Sequence, residues 1–527
     1  MFPSALLLWA TIPLGLAGLA ALLLRPAGGE PGGLPSPVWA LVALLPAAAF
    51  AAMRGSAQFL LGGDEYARPA AAMAWAASPF FAPHDHVWLG GHFYAMGLLY
   101  RLAGSLVVAN AVLSCAGFAA LVAAAWWTAG KVWGAGPEQA VAAALAGCAP
   151  VVLWMSVNPW AEALAYPPLL AAYGCWAAFR AEQEAPDGDW RRERWLAFGA
   201  ALLAFGTTLR YEAWIAGLLL GPYLLWRGGW LARRGERRGA ALLLASATLL
   251  AAYPLAWVVS SKLALGSFTA FAENSRRINF EQNYFYDYST ALSRLLVFPT
   301  TFAKDHGYLL PLAFAGAVAA LRSGARGPRA FLYAFIAVFL FATLSTMRSG
   351  LGSSVRPRMT MAAMLPAAVL AAGGLAAAAR LLPERLRPVA LAAVLAAGAF
   401  AQARWAVVRY DHGWGQSADL LALASRIARE RDPSRLGRGE ALVHPWEMRL
   451  HVYDAGDPLP HWVLSYFSPE PALVEPHYSK EGLLASLASE PPGARALVRA
   501  AEFPDGLPGS RRVLGMGAYD VWERNAQ

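Results

Sequence analysis

Two adjacent carboxylates, Asp64 and Glu65, begin the stretch GGDEYARPAAAMAW just after an apolar run ends. Three arginines, Arg348, Arg356 and Arg358, stand in MRSGLGSSVRPRMT, just before another apolar run begins. A carboxylate can take the proton from an attacking hydroxyl. Planar guanidinium forks match phosphate oxygens, and they stabilise a phosphate leaving group as charge develops on it. Those two parts suffice for displacement at a sugar carbon whose leaving group is a lipid phosphate. A single base with no nucleophilic partner would invert that carbon. The structural alternative makes Asp64 a helix N-cap, Glu65 a first-turn partner of the helix dipole and Arg68 an interfacial anchor.

Further polar residues collect at the ends of apolar runs. VNPWAEALAYPP carries Glu162, and LRYEAW carries Arg210, Tyr211 and Glu212. HDHVWLGGHF carries His84, Asp85, His86 and His92. In an extended segment His84 and His86 point the same way, and with His92 they form one possible divalent-metal set, although their spacing matches no metal signature. Donor or acceptor contacts are the preferred role for these histidines, with Asp85, Glu162, Tyr211 and Glu212 as further substrate contacts and Arg210 as a phosphate ligand. No cofactor follows from the sequence.

The elements that hold these residues are membrane spans. The chain has 527 residues, of which 57% are hydrophobic and only 15% charged. Apolar runs long enough to cross a hydrocarbon core of about 30 Å recur through it. Candidate spans fall near 5–24, 37–54, 106–129, 138–155, 161–180, 195–209, 212–227, 240–259, 308–321, 330–346, 359–379 and 388–405. The first has no preceding cation and is followed by Arg25, so it reads as a retained span and not a cleaved signal. The expected fold class is an all-α polytopic membrane bundle of about twelve helices over 1–405, followed by a small soluble α/β domain over 406–527.

The net charge is +9, and the only lysines are Lys131, Lys262, Lys304 and Lys480. This Arg bias, with the Ala and Gly excess, reads as a GC-rich bacterial genome. The cations are spread along loops, which makes them topology signals and excludes a nucleic-acid surface. Cys115, Cys148 and Cys175 lie within apolar runs with no C-x-x-C spacing, which excludes a disulfide framework or a thiolate metal site. Alternate connections hold the groups around Lys131, Arg191, Arg227, Arg237, Arg326 and Arg385, and these mark the cytoplasmic side. The loops at 55–105, 260–307 and 347–358, the turns at 156–160 and 210–211, and the tail then face the other compartment. By parity the N-terminus faces it too.

The loop 55–105 reads as two juxtamembrane helices, with Met73, Trp75, Phe80 and Phe81 at the interface. In the tail, one helical pattern at 417–430 alternates with the short apolar stretches EALVHP, WVLSYF and RRVLGMGAYDVWE. The segment HPWEMRLHVY, residues 444–453, reads as a solvated strand edge.

The order of these motifs resembles the GT-C superfamily of integral membrane glycosyltransferases, in particular the bacterial branch of protein O-mannosyltransferases and the lipid A aminoarabinose transferase. Asp64-Glu65 opens the first outer loop. HDHVWLGGHFYAMGLLYRLAG stands where relatives carry an HPPLYYLLL-like segment, and RPRMTMAAMLPAAVLAAGGL is similar to their RYLLPLLPALALLAA-like run. VNPWAEALAYPPLLAAYGCW and LRYEAW complete the likeness, which covers about 37–405. It implies a polyprenyl-phosphate-linked sugar donor used on the extracytoplasmic side of a bacterial inner membrane. By the same likeness Asp64 is the base, Glu65 supports it or binds the acceptor, and Arg356 or Arg358 holds the donor phosphate. The implied product is one mannose or other hexose or pentose on an acceptor hydroxyl of a protein, glycolipid or cell-wall glycan. Two departures bear on this. Gly90-Gly91-His92 replaces the HPP element, and the WWD signature of oligosaccharyltransferases is absent. The rival enzyme is a lipid-linked glycan ligase or polymerase, whose key residues would sit in one late outer loop. The non-enzyme rival is a transporter or flippase, which would carry charges at mid-span and a repeated pair of broken helices.

Overall fold

The computed structural model describes residues 44–51, 63–81, 88–158, 160–182, 190–270, 273–274, 290–345, 357–410, 450–453, 474–516 and 518–525. Candidate span 5–24, the 417–430 pattern and the stretches EALVHP and WVLSYF lie outside them.

Residues 44–51 are helical. Two short helices follow, α1 (Gly63–Ala77) and α2 (Gly91–Ala103), as the amphipathic reading of the first loop expects. They pack as a hairpin, with Trp75 and Tyr94 ring centroids 5.5 Å apart and Arg101 Nε donating to the Ala76 carbonyl at 2.6 Å. Gly104, at φ 66°, ends α2, and the Ser105 side chain then caps α3 (Leu106–Trp133) by accepting from the Val108 N–H.

The next expected span, 138–155, is not one helix. It divides into α4 (Pro137–Gly147) and α5 (Pro150–Val157), bent by 65° at the break. Pro150 lacks the N–H that would continue the ladder, and its ring excludes an unbroken turn before it. The helices α6 (Glu162–Ala181), α7 (Trp190–Thr207), α8 (Tyr211–Arg233) and α9 (Arg237–Leu265) follow. Next come α10 (Ala291–His306), α11 (Leu310–Arg322), α12 (Arg326–Ser345), α13 (Met361–Ala379) and α14 (Arg387–Tyr410). Ten of the expected spans thus coincide with described helices or, at 138–155, a bent pair. Among the described residues four helices are long and apolar enough to cross a membrane, or five with the bent pair counted as one span.

The bundle core runs through α3, α4, α6 and α13, and α13 is buried along most of its length. Small residues let these helices approach closely, which is how packing is gained where lipid offers no hydrophobic drive. Gly117 on α3 faces the Ala163 carbonyl of α6, where an added Cβ would stand 2.7 Å away. The tightest crossing is α11 on α13, where Gly316 abuts the Leu370 carbonyl and Gly374 abuts the Leu312 carbonyl. A methyl at position 316 meets backbone, which cannot rotate aside. Gly316→Ala is therefore expected to force the two helices apart and cost about 1–3 kcal/mol, read as a lower unfolding temperature in detergent. Gly398→Ala, where an added Cβ has nothing within 4 Å, is the control and should leave it unchanged.

Arg227 was expected in a solvated cytoplasmic connection. Instead α8 continues to Arg233, and Arg227 is buried inside it, 2.7 Å from the fully buried Glu193 carboxylate. Trp230 stacks on its guanidinium at 4.6 Å. A charge counted from sequence as a topology marker is here a paired interior group.

Among the described residues the tail supplies five strands: β1 (Leu450–Tyr453), β2 (Val474–His477), β3 (Arg495–Arg499), β4 (Ser510–Met516) and β5 (Tyr519–Arg524). Their order is β2-β1-β3-β5-β4. β1 is parallel to both neighbours, and β5 is antiparallel to β3 and β4. The stretch RRVLGMGAYDVWE is thus a hairpin. One helix, α15 (Lys480–Ser489), places Leu483 and Leu487 with Tyr453, Ala496 and Val498 in a small core. The solvated-edge reading of 444–453 fails where the structure describes it. Residues 450–453 form an interior strand and all four are buried. The surrounding chain leaves no solvent face for a strand paired on both sides and covered by a helix.

Candidate functional site

The first outer loop is tied to the α7–α8 turn by close backbone contacts. The Gly91 N–H donates to the Thr208 carbonyl at 2.8 Å, and the Gly90 N–H donates to the Tyr253 hydroxyl at 3.1 Å. A side chain at 91 would strike Thr208. This gives the Gly-Gly pair a local reason, since only a bare α-carbon lets α2 start against that turn. Two residues beyond Thr208 the chain presents Arg210, which precedes α8 in extended conformation.

Arg210 sits in a fork between two glutamates. Its Nη1 lies 2.7 Å from Glu162 Oε1, while Nη2 and Nε lie 2.6 and 3.1 Å from the two oxygens of Glu212. The Tyr166 hydroxyl reaches Glu212 Oε1 at 3.5 Å. Glu162 is fully buried and the Arg210 side chain is 15% exposed. The three charges sum to minus one, and three of the five guanidinium N–H groups are engaged by carboxylate. This arrangement braces the ends of α6 and α8 and lines the mouth with carboxylate. The neighbouring Tyr211 ring packs edge-on against Trp214, with centroids 5.0 Å apart.

Arg68, read from sequence as an interfacial anchor, is only 2% exposed. Its guanidinium stands 4.6 Å from the Trp88 ring and 5.9 Å from the Trp160 ring. His92 lies within electrostatic reach of both Arg68 and Glu162. Burial first, and then the Arg68 charge, pushes the His92 imidazole down to about 3. It is therefore neutral across physiological pH. Arg68, Trp88 and Trp160 were missed as site residues. The available signal was spacing, because Arg68 follows Asp64 by one helical turn.

That spacing now has structural weight. The helix begins at Gly63, so Asp64 and Glu65 occupy its first turn and not the cap position. The buried side of α1 carries Ala67, Arg68, Ala71 and Ala72. Positions 64 and 65 precede Arg68 by four and three residues and fall on that same stripe. The side chains of Asp64 and Glu65 lie outside the described residues, as do His84, Asp85, His86, Arg348 and Arg356 entirely and the Arg358 side chain. The backbone at Arg358 lies in a short 3-10 turn, Pro357–Thr360. That turn packs against α10 and α5, and Thr360 is tied to the buried His306 at 2.8 Å. His306 is thus a further buried polar residue that no motif exposed.

Below this cluster an apolar cavity of about 380 Å³ opens between α6, α7, α8 and α12. Tyr173, Trp176, Trp195, Leu203, Tyr223 and Tyr333 contribute to its walls. It starts about one turn along α8 from Glu212, at Ala216.

The helical bundle, with a two-helix hairpin before α3 and a small appended sheet, is a fold that this chain shares with solved transferases. ArnT, the aminoarabinose transferase of Cupriavidus metallidurans, solved bound to undecaprenyl phosphate, matches with a TM-score of 0.58 over 94% of this chain and all of its own, at 15% identity. The oligosaccharyltransferase of Archaeoglobus fulgidus matches with a TM-score of 0.51 at 12% identity, over 93% of this chain and 74% of its own. The same archaeal enzyme, AglB, in complex with an inhibitory peptide and a dolichol-phosphate, matches at 0.50 and 12% identity, over 89% of this chain and 69% of its own. No family model and no curated protein matches the sequence.

Proposed function

We propose that this chain is a multi-pass membrane glycosyltransferase that moves a single sugar from a polyprenyl-phosphate donor to an acceptor hydroxyl, with inversion and with Asp64 as the base. The observation that carries the reading is the full-length likeness to ArnT, which leaves no part of that transferase uncovered, whereas about a quarter of the oligosaccharyltransferase is unmatched. That asymmetry favours one sugar over a whole glycan, and so favours transfer over the ligase reading. One broken helix, at Pro150, occurs among the described residues, but a transporter needs such a break repeated in two halves.

The residues divide the work by charge. The Arg348, Arg356 and Arg358 loop supplies cations for the donor phosphate, since Arg210 already serves two carboxylates. The apolar cavity beginning near Ala216 has the chemistry for an isoprenoid tail, with the phosphate at the polar mouth above it. Asp64, one turn before Arg68 on α1, is the base for the acceptor, with Glu65 as its support. His84, Asp85 and His86, outside the described residues, and His92, Glu162, Tyr211 and Glu212 are the assigned contacts for sugar and acceptor. The mouth and the tail domain lie on the extracytoplasmic side by the arginine distribution. The acceptor is a protein, a glycolipid or a cell-wall glycan.

The test is direct. Purified protein incubated with radiolabelled polyprenyl-phosphate sugars and a membrane extract should release label from the lipid, by transfer or slow hydrolysis. Absence of release from every such donor would remove the transferase reading.

A further inference from the structure

The sheet holds a cluster with no part in glycosyl transfer as read above. β1 and β2 pair with His451 beside Glu475 and Tyr453 beside His477. Alternation along a strand puts Glu475 and His477 on one face, and paired residues share a face, so His451 joins them. The three offer one ligand atom each within 4.8 Å of one another. His451 Nδ1 and His477 Nε2 are 2.8 Å apart. His451 is fully buried, His477 is 8% exposed, and Glu475 is half-buried.

Two imidazole nitrogens and a carboxylate oxygen are a familiar donor set for zinc, and imidazole also suits the neighbouring transition metals. A second observation bears on the tautomer. The other nitrogen of His451, Nε2, faces the Glu490 carboxylate at 3.7 Å, at the C-terminal end of α15. A carboxylate there favours a proton on Nε2 and leaves the Nδ1 lone pair toward His477 and Glu475. Metal-bound imidazoles are oriented by just such an outer carboxylate. At metal–nitrogen distances of about 2.0–2.1 Å and a tetrahedral angle, the two nitrogens would part to roughly 3.3 Å. Side-chain torsion alone supplies that movement.

We propose that His451, Glu475 and His477 form a binding site for a divalent transition-metal ion, zinc by its donor set, with a position left open on the Glu475 side. The ion cross-links β1 to β2. That edge strand has four residues and contains Pro476, which cannot donate to the ladder, so it has few backbone bonds of its own. Metal binding is folding energy for such an element. The proposal stands whether or not the transferase reading does.

The experiment uses the full-length protein in detergent, stripped with a chelator and then dialysed against Zn²⁺, with zinc per chain measured by mass spectrometry. The wild type should hold one equivalent more than Glu475→Gln or His477→Gln. Zn²⁺ should also protect the wild-type tail from proteolysis without protecting those variants. Glu475→Gln is near-isosteric and half-buried, so its loss of zinc cannot be assigned to misfolding. Glu490→Gln should keep the site but weaken it about 10–100-fold. Equal zinc content in the wild type and both ligand variants, or no uptake by any, overturns the site.

Discussion

Asp64→Asn is expected to lower the turnover of sugar transfer by about 10²–10⁴-fold, the range a positioned general base contributes. The substitution keeps the shape of the side chain and removes its ability to accept the acceptor's proton. Binding of the donor lipid should persist, because the phosphate contacts assigned to the Arg348, Arg356 and Arg358 loop do not involve position 64. The measurement is single-turnover release of label from the polyprenyl phosphate, with donor binding followed separately. Positions 64 and 65 stand on α1 four and three residues before the buried Arg68. Glu65→Gln, at the residue assigned the supporting role, should cost less than Asp64→Asn. Undiminished release by Asp64→Asn would keep the donor class and move the base, with Glu65 the next residue to test.

Arg210→Ala should produce the largest loss of stability. It would leave Glu162, which is fully buried, and Glu212 facing each other with no cation between them. Removing one partner of a buried ion pair typically costs about 3–5 kcal/mol, because the remaining charge keeps its desolvation penalty. Thermal unfolding in detergent would report this directly. The triple change Arg210→Met, Glu162→Gln and Glu212→Gln removes all three charges together and should recover most of the loss. That variant also separates two roles for Arg210. If it bound the donor phosphate, the recovered protein would still lose donor affinity. If it only braces the mouth, affinity should return with stability.

The helices were legible in the sequence because a membrane span is written as a run of one chemistry, and α3, α9, α12 and α13 are such runs. The break at Pro150 was legible in principle but was hidden by the apolar residues on both sides. Glu162, Arg210 and Glu212 were recognisable as polar groups at span ends. Their mutual pairing was not, because it joins residues 48 apart through the third dimension. Arg68 was misjudged for a related reason. An arginine near an interface has an ordinary explanation, and only the converging Trp88 and Trp160 show that it is interior. His451 was placed at a strand edge because strand order is set by pairing between distant segments, and no local pattern encodes it.

The Gly91–Thr208 contact gives the loop a mechanical consequence. The start of α2 and the turn before Arg210 share one hydrogen bond at close backbone range, so neither can be displaced without straining the other. The hairpin and the turn that carries Arg210 are thus joined at backbone range, through a position where only glycine fits.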